Sequence, residues 1–324
     1  MPRLLRYREL DLTAWDACVG SAREGLPYAC SWWLHATAGR WDALVEVEAG
    51  TGRYLAVWPL PVKWRPWGRQ VYQPPFTQQL GAYSLADEAG KQARIALLVI
   101  DKLTPRYTQF YAQLNDANGL PTSSPLPRNA GKPLVLLQRR QTYHLLLEAP
   151  YETLRAAYAA DYRRRLRQQE SASVPLTAAE TADVEPLLQL FQQTKGSEAG
   201  LEPRHYEKLR LLALALRQRN LLEVYEVRQP ATGELMAGAL FVHYRQRLIY
   251  LFAAASSEGK KVAAPSVLVD AVIRRHAGTP GLILDFEGSM IPSIARFFAN
   301  FGATPVSYAA ISFTQRPWYL QWMR

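Results

Sequence analysis

The stretch Leu284-Asp285-Phe286-Glu287-Gly288-Ser289 sets two carboxylates one residue apart, just before a turn. On a strand, residues two apart face the same side, so Asp285 and Glu287 would project together while Phe286 enters the opposite layer. Paired carboxylates raise one pKa and leave a base able to deprotonate an attacking amine or hydroxyl. The structural alternative is that Asp285 caps a neighbouring helix or pairs with an arginine such as Arg163. A second cluster is Tyr162-Arg163-Arg164-Arg165-Leu166-Arg167. On a helix Arg163 and Arg167 share a face, Arg164 flanks it and Arg165 points elsewhere. A guanidinium fork suits phosphate or carboxylate, although such a face can equally be only solvated. A third is Ser256-Ser257-Glu258-Gly259-Lys260-Lys261. Here Gly259 permits a sharp turn, Lys260 and Lys261 add charge, and a helix starting near Ala263 or Ala264 directs its positive end to the same place. Either an anion is held there or the turn is solvated. It is not a Walker A loop, because Ala254 occupies the first glycine position and Lys261 stands where Ser or Thr belongs.

Weaker signals complete the inventory. The aromatic, Pro-rich segment 72–83, with Tyr72, Phe76 and Gln78, could line an acceptor cleft or pack against its surroundings. The histidines at 35, 144, 205, 243 and 276 show no i,i+4 pairing and no Cys partnership, so no metal site is expected. Ser289 directly follows Gly288 and precedes no glycine at the required offset, so a serine-hydrolase elbow is absent.

The elements that must position these groups follow from periodicity. In the first half, Val45 and Val47 alternate with Glu46 and Glu48, and Gly50-Thr51-Gly52 reverses the chain, which predicts a β-hairpin. The Pro- and Trp-rich segment 59–76 should be irregular or an edge, since proline cannot serve a central strand. A helix over about 87–103, a strand over 106–114 and an exposed Pro/Gly/Ser-rich loop over 115–133 follow. In the second half, Thr142–Pro150 predicts a strand, and 151–169 one helix with Leu154, Tyr158, Tyr162 and Leu166 as its apolar stripe. Helices over 182–194 and 203–218 precede a three-stranded meander broken at 230–233 and near Arg245. A helix over 263–277, the strand 282–286, a helix over 291–300 and a last strand close the order. This is an α/β (α+β) mixture with largely antiparallel sheets, not an alternating dinucleotide-binding sheet.

The chain has 324 residues, 48% of them hydrophobic and 20% charged, which suits two domains, placed at 1–140 and 141–324. Two cysteines, Cys18 and Cys30, make no disulfide framework, and no stretch approaches the ~20 apolar residues of a membrane span, so a cytoplasmic protein without stable membrane insertion is expected. The net charge of +10 suits an anionic partner.

The strand order after leading helices, with Tyr162–Gln169, Leu282–Ser289 and Ile294–Val306, resembles the Fem-type branch of the GNAT acyltransferase superfamily, the peptidoglycan-bridge aminoacyltransferases and their acetyltransferase-like relatives. The resemblance implies tandem GNAT-like domains, suggests that the last residues, 316–324, pack back on the first, and implies transfer of an acyl group to an amine or hydroxyl of a polar, cell-envelope-related acceptor. It implies a donor, acyl-CoA or aminoacyl-tRNA, and a cell-wall precursor or other anionic small molecule as partner. Two departures stand out. The lysine of aminoacyl-tRNA-dependent relatives is Phe298 here, which counts against that donor. The pyrophosphate-binding loop of CoA-dependent relatives is matched only loosely by Ser256–Lys261. The expected assignment is Glu287 as base, Asp285 orienting it, Gly259, Lys260 and Lys261 on the donor phosphates, and Arg163, Arg164 and Arg167 on the acceptor. A non-catalytic binding module of the same fold, or a nucleic-acid-binding protein, are the other readings.

Overall fold

The computed structural model describes residues 2–85, 98–119, 133–196, 200–288 and 290–315. Two compact units emerge, the described parts of Met1–Arg140 with Ser307–Arg324, and Gln141–Val306. The expected chain end at 316–324, most of the helix over 87–103 and most of the loop over 115–133 lie outside the described residues.

Unit 1 starts with β1 (Arg3–Leu5), α1 (Leu12–Ser21) and α2 (Ser31–Thr37). α1 begins where it does because the Asp11 carboxylate accepts from the amides of Thr13 and Ala14, at 2.9 and 3.0 Å. The hairpin forms as its alternation predicts, from β2 (Trp41–Val47) and β3 (Tyr54–Arg65), with β4 (Gly68–Val71), β5 (Tyr83–Ser84) and β6 (Gln109–Gln113) after it. β3 corrects one expectation, for it runs straight through Pro59 and Pro61. β2 flanks it at these residues, whereas the ladder to β4 starts only at Val62 and that to β5 ends at Val57. Two residues apart, both proline nitrogens face away from β2, and on that side the Tyr72 amide still donates to the Pro61 carbonyl at 3.0 Å. β4 runs parallel to β6, and the strand Thr304–Thr314 adds antiparallel to β6. Trp58, Tyr107, Phe110 and Phe313 are buried at the centre of this unit.

β7 (Leu136–Leu146) carries the chain into unit 2, where α3 (Tyr151–Ala156) and α4 (Ala160–Glu170) replace the single helix that the periodicity predicts. The break is imposed from outside. The Ala159 amide donates to the Asn300 carbonyl at 2.9 Å and its backbone is extended, while Arg163 donates to the carbonyls of Ala156 and Tyr158 that the interrupted helix leaves open. Leu154, Tyr158 and Leu166 are nevertheless buried, and Tyr162 half-buried, so the stripe survives the break. β8 (Ala178–Thr181), α5 (Glu185–Thr194) and α6 (Pro203–Arg217) lead to the meander β9 (Leu222–Arg228), β10 (Leu235–Tyr244) and β11 (Arg247–Ala255). The short α7 (Ser257–Lys261), α8 (Ala264–His276), β12 (Ile283–Asp285), α9 (Pro292–Ala299) and β13 (Thr304–Thr314) complete the order. The unit's sheet runs β7-β12-β11-β10-β9-β8, antiparallel except for β11 with β12.

Each unit thus has one plan, a largely antiparallel sheet with a single parallel pair, β4–β6 or β11–β12. No helix among the described residues is long and apolar enough to cross a membrane. In unit 2 the core beneath β12 is aromatic: Phe286 stacks on Phe298, with centroids 4.7 Å apart, and both rings are buried. Phe286→Ala should therefore cost about 3–5 kcal/mol, read from the shift of a denaturant midpoint at unchanged slope. A loss under about 1 kcal/mol would mean that this stack does not hold the end of β12.

Candidate active site at the end of β12

β12 ends at Asp285, so Glu287 does not share its face of a strand. This corrects the expectation of two carboxylates projecting together. Glu287 has φ 52°, in the left-handed region that a non-glycine residue enters at a cost of order 1–3 kcal/mol. Its amide donates to Asp285 Oδ1 at 3.0 Å. Gly288 follows at φ 45°, and a Cβ there would lie 2.0 Å from the Gln141 carbonyl oxygen, so only glycine fits against β7. Ser289 lies outside the described residues.

Asp285 has no solvent exposure. Thr142 donates to its Oδ1 at 2.6 Å, and His144 Nε2 and Arg247 Nη1 stand 3.2 and 3.4 Å from Oδ2. Its arginine partner is thus Arg247, not Arg163, which is committed to the α3 carbonyls. Register brings these groups together: His144 lies opposite Asp285 on β7, and Arg247 begins the short ladder of β11 with β12. Arg247 Nη1 is also 2.7 Å from His144 Nε2. One nitrogen cannot accept from arginine and donate to Asp285 at once, so the tautomer decides which bond is made. Burial pushes the Asp285 carboxyl up most strongly of any single influence. The His144 bond and charge, then Arg247 and Thr142, together outweigh it and hold the group below the ordinary carboxylate value. An enclosed carboxylate of low proton affinity is a poor base and a good anchor.

Beyond Asp285 the parallel strands part. β11 continues on β10 to Ala255, but its ladder with β12 stops at Ile249, and Phe286 donates to the Tyr143 carbonyl of β7 at 3.0 Å. Glu287 therefore stands where β12 has left β11. Tyr250, the first residue of β11 past the ladder, packs against Phe286 and Phe298 with centroids 5.9 and 6.0 Å away. Its hydroxyl makes no hydrogen bond among the described residues, and burial raises its pKa, so it is protonated at neutral pH. Sequence reasoning missed Tyr250, which reads there as one more apolar strand residue.

The turn Ser256–Lys261 also differs from expectation. It is a helical turn, α7, capped by Ser256. Gly259 donates to Ser256 Oγ at 2.9 Å, Lys260 to the Ser256 carbonyl at 3.0 Å, and Val262 and Ala263 to the carbonyls of Glu258 and Lys260. Gly259 is not at positive φ. It is glycine because a Cβ would lie 2.1 Å from the Met236 carbonyl oxygen. Lys261 Nζ is 2.6 Å from Glu258 Oε1. A pyrophosphate cradle needs free amides converging on one point, and those of Gly259, Lys260, Val262 and Ala263 are already bonded. The lysine of aminoacyl-tRNA-dependent relatives has no counterpart either, because position 298 faces the aromatic core.

Arginines gather elsewhere in unit 2, with Glu152 among them. Tyr151, Arg155, Arg163, Arg167 and Arg274 line an open groove of about 570 Å³ between α3, α4 and α8. Arg155 pairs with Glu170 at 2.8 Å, and Arg274 lies 4.4 Å over the Tyr151 ring with its Nη2 2.9 Å from the hydroxyl. Arg163 caps carbonyls, which leaves its charge uncompensated. Arg167 makes no side-chain hydrogen bond or ion pair among the described residues and is the available fork. Arg164 is not part of the groove; it pairs with Asp161 on the exposed side of α4. Lys260 is exposed on α7.

Tyr72, Phe76 and Gln78 lie in unit 1, in a loop knitted by side-chain amides: Gln73 Nε2 donates to the carbonyls of Thr77 and Gln78, at 2.6 and 3.2 Å. Phe76 has φ 55°, and Lys63 sits 5.3 Å over the Tyr72 ring. Two histidines without any motif spacing, His243 and His276, meet at Glu223 in unit 2.

Comparison with known proteins supports this architecture. Residues 155–288 match the model of the acetyltransferase (GNAT) domain family, which spans most of unit 2. The crystal structure of FemX superposes with TM-score 0.63 at 13% identity, over 95% of this chain and 96% of that one. A conserved protein of unknown function from Bacteroides thetaiotaomicron gives TM-score 0.58 at 10% identity, over 97% and 100%. No curated protein matches in sequence. The fold of the chain is thus that of the FemX structure, and residues 155–288 carry the match to the acetyltransferase (GNAT) domain family.

Asp285 carries a pH signature. Its folded pKa lies below the unfolded value of about 3.9, so the stability it contributes is complete above that value. It is lost as pH falls through that value toward the depressed folded pKa. Asp285→Asn is expected to cost about 3–5 kcal/mol at pH 7 and much less near pH 3, measured by urea unfolding. An equal loss at both pH values would contradict the ionised anchor.

Proposed function

We propose that this chain, whose second unit has the acetyltransferase (GNAT) fold, is an N-acyltransferase acting at the end of β12 on an amine or hydroxyl of a polar, anionic acceptor. The observation that carries the reading is Glu287, held in a strained left-handed conformation by the amide bond to buried Asp285, at the point where β11 and β12 separate. Strain of this kind persists only where surrounding structure enforces it, and it re-aims a side chain.

In this reading Glu287 accepts the proton that the acceptor's nucleophile loses as it attacks the acyl carbon, the donor's thioester or ester bond breaks, and the departing thiolate or ribose oxygen leaves with a proton taken from solvent. Asp285 does not touch the reactants; it positions Glu287. Tyr250, kept protonated by burial, supplies a hydroxyl that can donate to developing negative charge. The groove with Arg167 at its centre takes an anionic group of the acceptor, a carboxylate or phosphate such as cell-wall precursors carry. The donor is assigned to no turn, because four amides of the Ser256–Lys261 turn and the residues after it are bonded within the chain and position 298 offers no lysine. A cytoplasmic site of action belongs to the same proposal.

Acyl transfer is tested by incubating the protein with acetyl-CoA or aminoacyl-tRNA and a muramyl-peptide acceptor, and reading the mass gain of one acyl group. Glu287→Gln should lower kcat by about 10²–10⁴-fold. Arg167→Ala should raise KM for the anionic acceptor by about tenfold or more with kcat little changed. Full activity in Glu287→Gln would remove the base assignment. No transfer from either donor, with muramyl-peptide binding still weakened by Arg167→Ala, would favour a binding module of the same fold.

A further inference from the structure

Glu223, His243 and His276 are brought together by the sheet and the helix that covers it. Glu223 on β9 lies opposite Phe241 on β10, and His243, two residues further along β10, falls on the same face as a diagonal neighbour. α8 packs over these strands and ends at His276. His276 Nε2 stands 2.9 Å from Glu223 Oε2, and His243 Nδ1 stands 3.5 Å from Oε1. The two imidazoles cross edge-to-face with centroids 5.5 Å apart, and one ligand atom from each of the three residues lies within 4.8 Å of the others. The Tyr225 hydroxyl donates to Glu223 Oε2 at 3.2 Å and orients the carboxylate from behind.

A tetrahedral zinc ion with bonds of about 2.0–2.2 Å holds its ligand atoms about 3.3–3.5 Å apart. The two observed nitrogen–oxygen separations, 2.9 and 3.5 Å, straddle that spacing, so small side-chain rotations complete the set. We infer that Glu223, His243 and His276 bind a divalent transition-metal ion of zinc type, with the fourth coordination position open to solvent beside His243. The His243 side chain is 37% exposed, whereas His276 and Glu223 are 12% and 14% exposed, which gives one entry side and two anchored ligands. Two imidazoles with one carboxylate favour zinc, cobalt or nickel over magnesium and calcium, which take oxygen ligands. The neighbouring Arg275 is compensated by Glu180 at 3.2 Å, and the C-terminal end of α8 is favourable for a cation. Bound there, the ion ties the end of α8 to β9 and β10. This site is independent of the acyltransferase reading and is measurable without any substrate.

The test uses tag-free full-length protein stripped with EDTA, titrated with Zn²⁺ by calorimetry and with Co²⁺ by visible absorption. The expected result is one equivalent bound with Kd of about 10 µM or tighter, a tetrahedral-type Co²⁺ spectrum, and a Tm rise of about 5 °C or more at a hundredfold excess over Kd. His243→Ala, a half-exposed position, should weaken binding by at least about tenfold and abolish the Co²⁺ band. If that variant melts early, Glu223→Gln, which preserves shape, serves the same comparison. Binding weaker than about 1 mM, or equal affinity in wild type and the folded variant, overturns the site.

Discussion

A carboxylate with no contact with water must find its partners inside the fold, and Asp285 takes them from three directions at once. Thr142 and His144 come from β7, Arg247 from β11, and the amide of Glu287 from the chain just beyond β12. Each partner fixes something. The two β7 groups hold β12 in register on that side, and Arg247 holds it on the other, although the ladder to β11 is only three residues long. The Glu287 amide bends the chain into the left-handed region, and Gly288 makes that bend possible by leaving room against Gln141. Removing the charge would leave an arginine and a histidine facing a neutral group in the interior, which is where buried ion networks are least forgiving.

The same enclosure sets the chemistry open to Asp285. A group whose proton affinity is lowered by paired cations and which no solvent reaches cannot cycle a proton with a substrate. Glu287 lies two residues past the end of β12, outside the strand that encloses Asp285. The aromatic stack of Phe286 on Phe298 supplies the second half of the support, since it anchors the residue between the two acids and fixes the direction in which the chain leaves the sheet.

Much of this was legible in the residues. Alternation and turn chemistry placed the hairpin, the meander and β12, and Asp285, Glu287, Arg163 and Arg167 were all marked by type and spacing. The failures have physical causes. The helix over 151–169 reads as continuous because its apolar spacing is unbroken, and only the Asn300 carbonyl, 141 residues after Ala159, interrupts it. Asp285 and Glu287 read as a same-face pair because nothing local shows that β12 stops at the first of them. Gly259 reads as a flexible turn residue, while its actual constraint is the Met236 carbonyl on a different strand. Arg247, Tyr250 and the Glu223–His243–His276 group carry no motif at all, because register and helix packing, not sequence distance, bring them together.

Anion recognition follows from the same accounting. A backbone amide binds phosphate only if no carbonyl or hydroxyl has already taken it, and α7 takes those of Gly259, Lys260, Val262 and Ala263. Lys261 is held by Glu258, and the aromatic core occupies position 298. What remains is a groove whose guanidinium groups are fixed by other duties: Arg163 by the broken end of α3, Arg155 by Glu170, Arg274 by the Tyr151 ring. Those duties immobilise the charges without removing the positive potential around Arg167. The break in the helix, which the sequence conceals, is thus also what builds the site: an unbroken helix would have satisfied the carbonyls of Ala156 and Tyr158 itself, and Arg163 would have had no reason to turn inward beside Arg167.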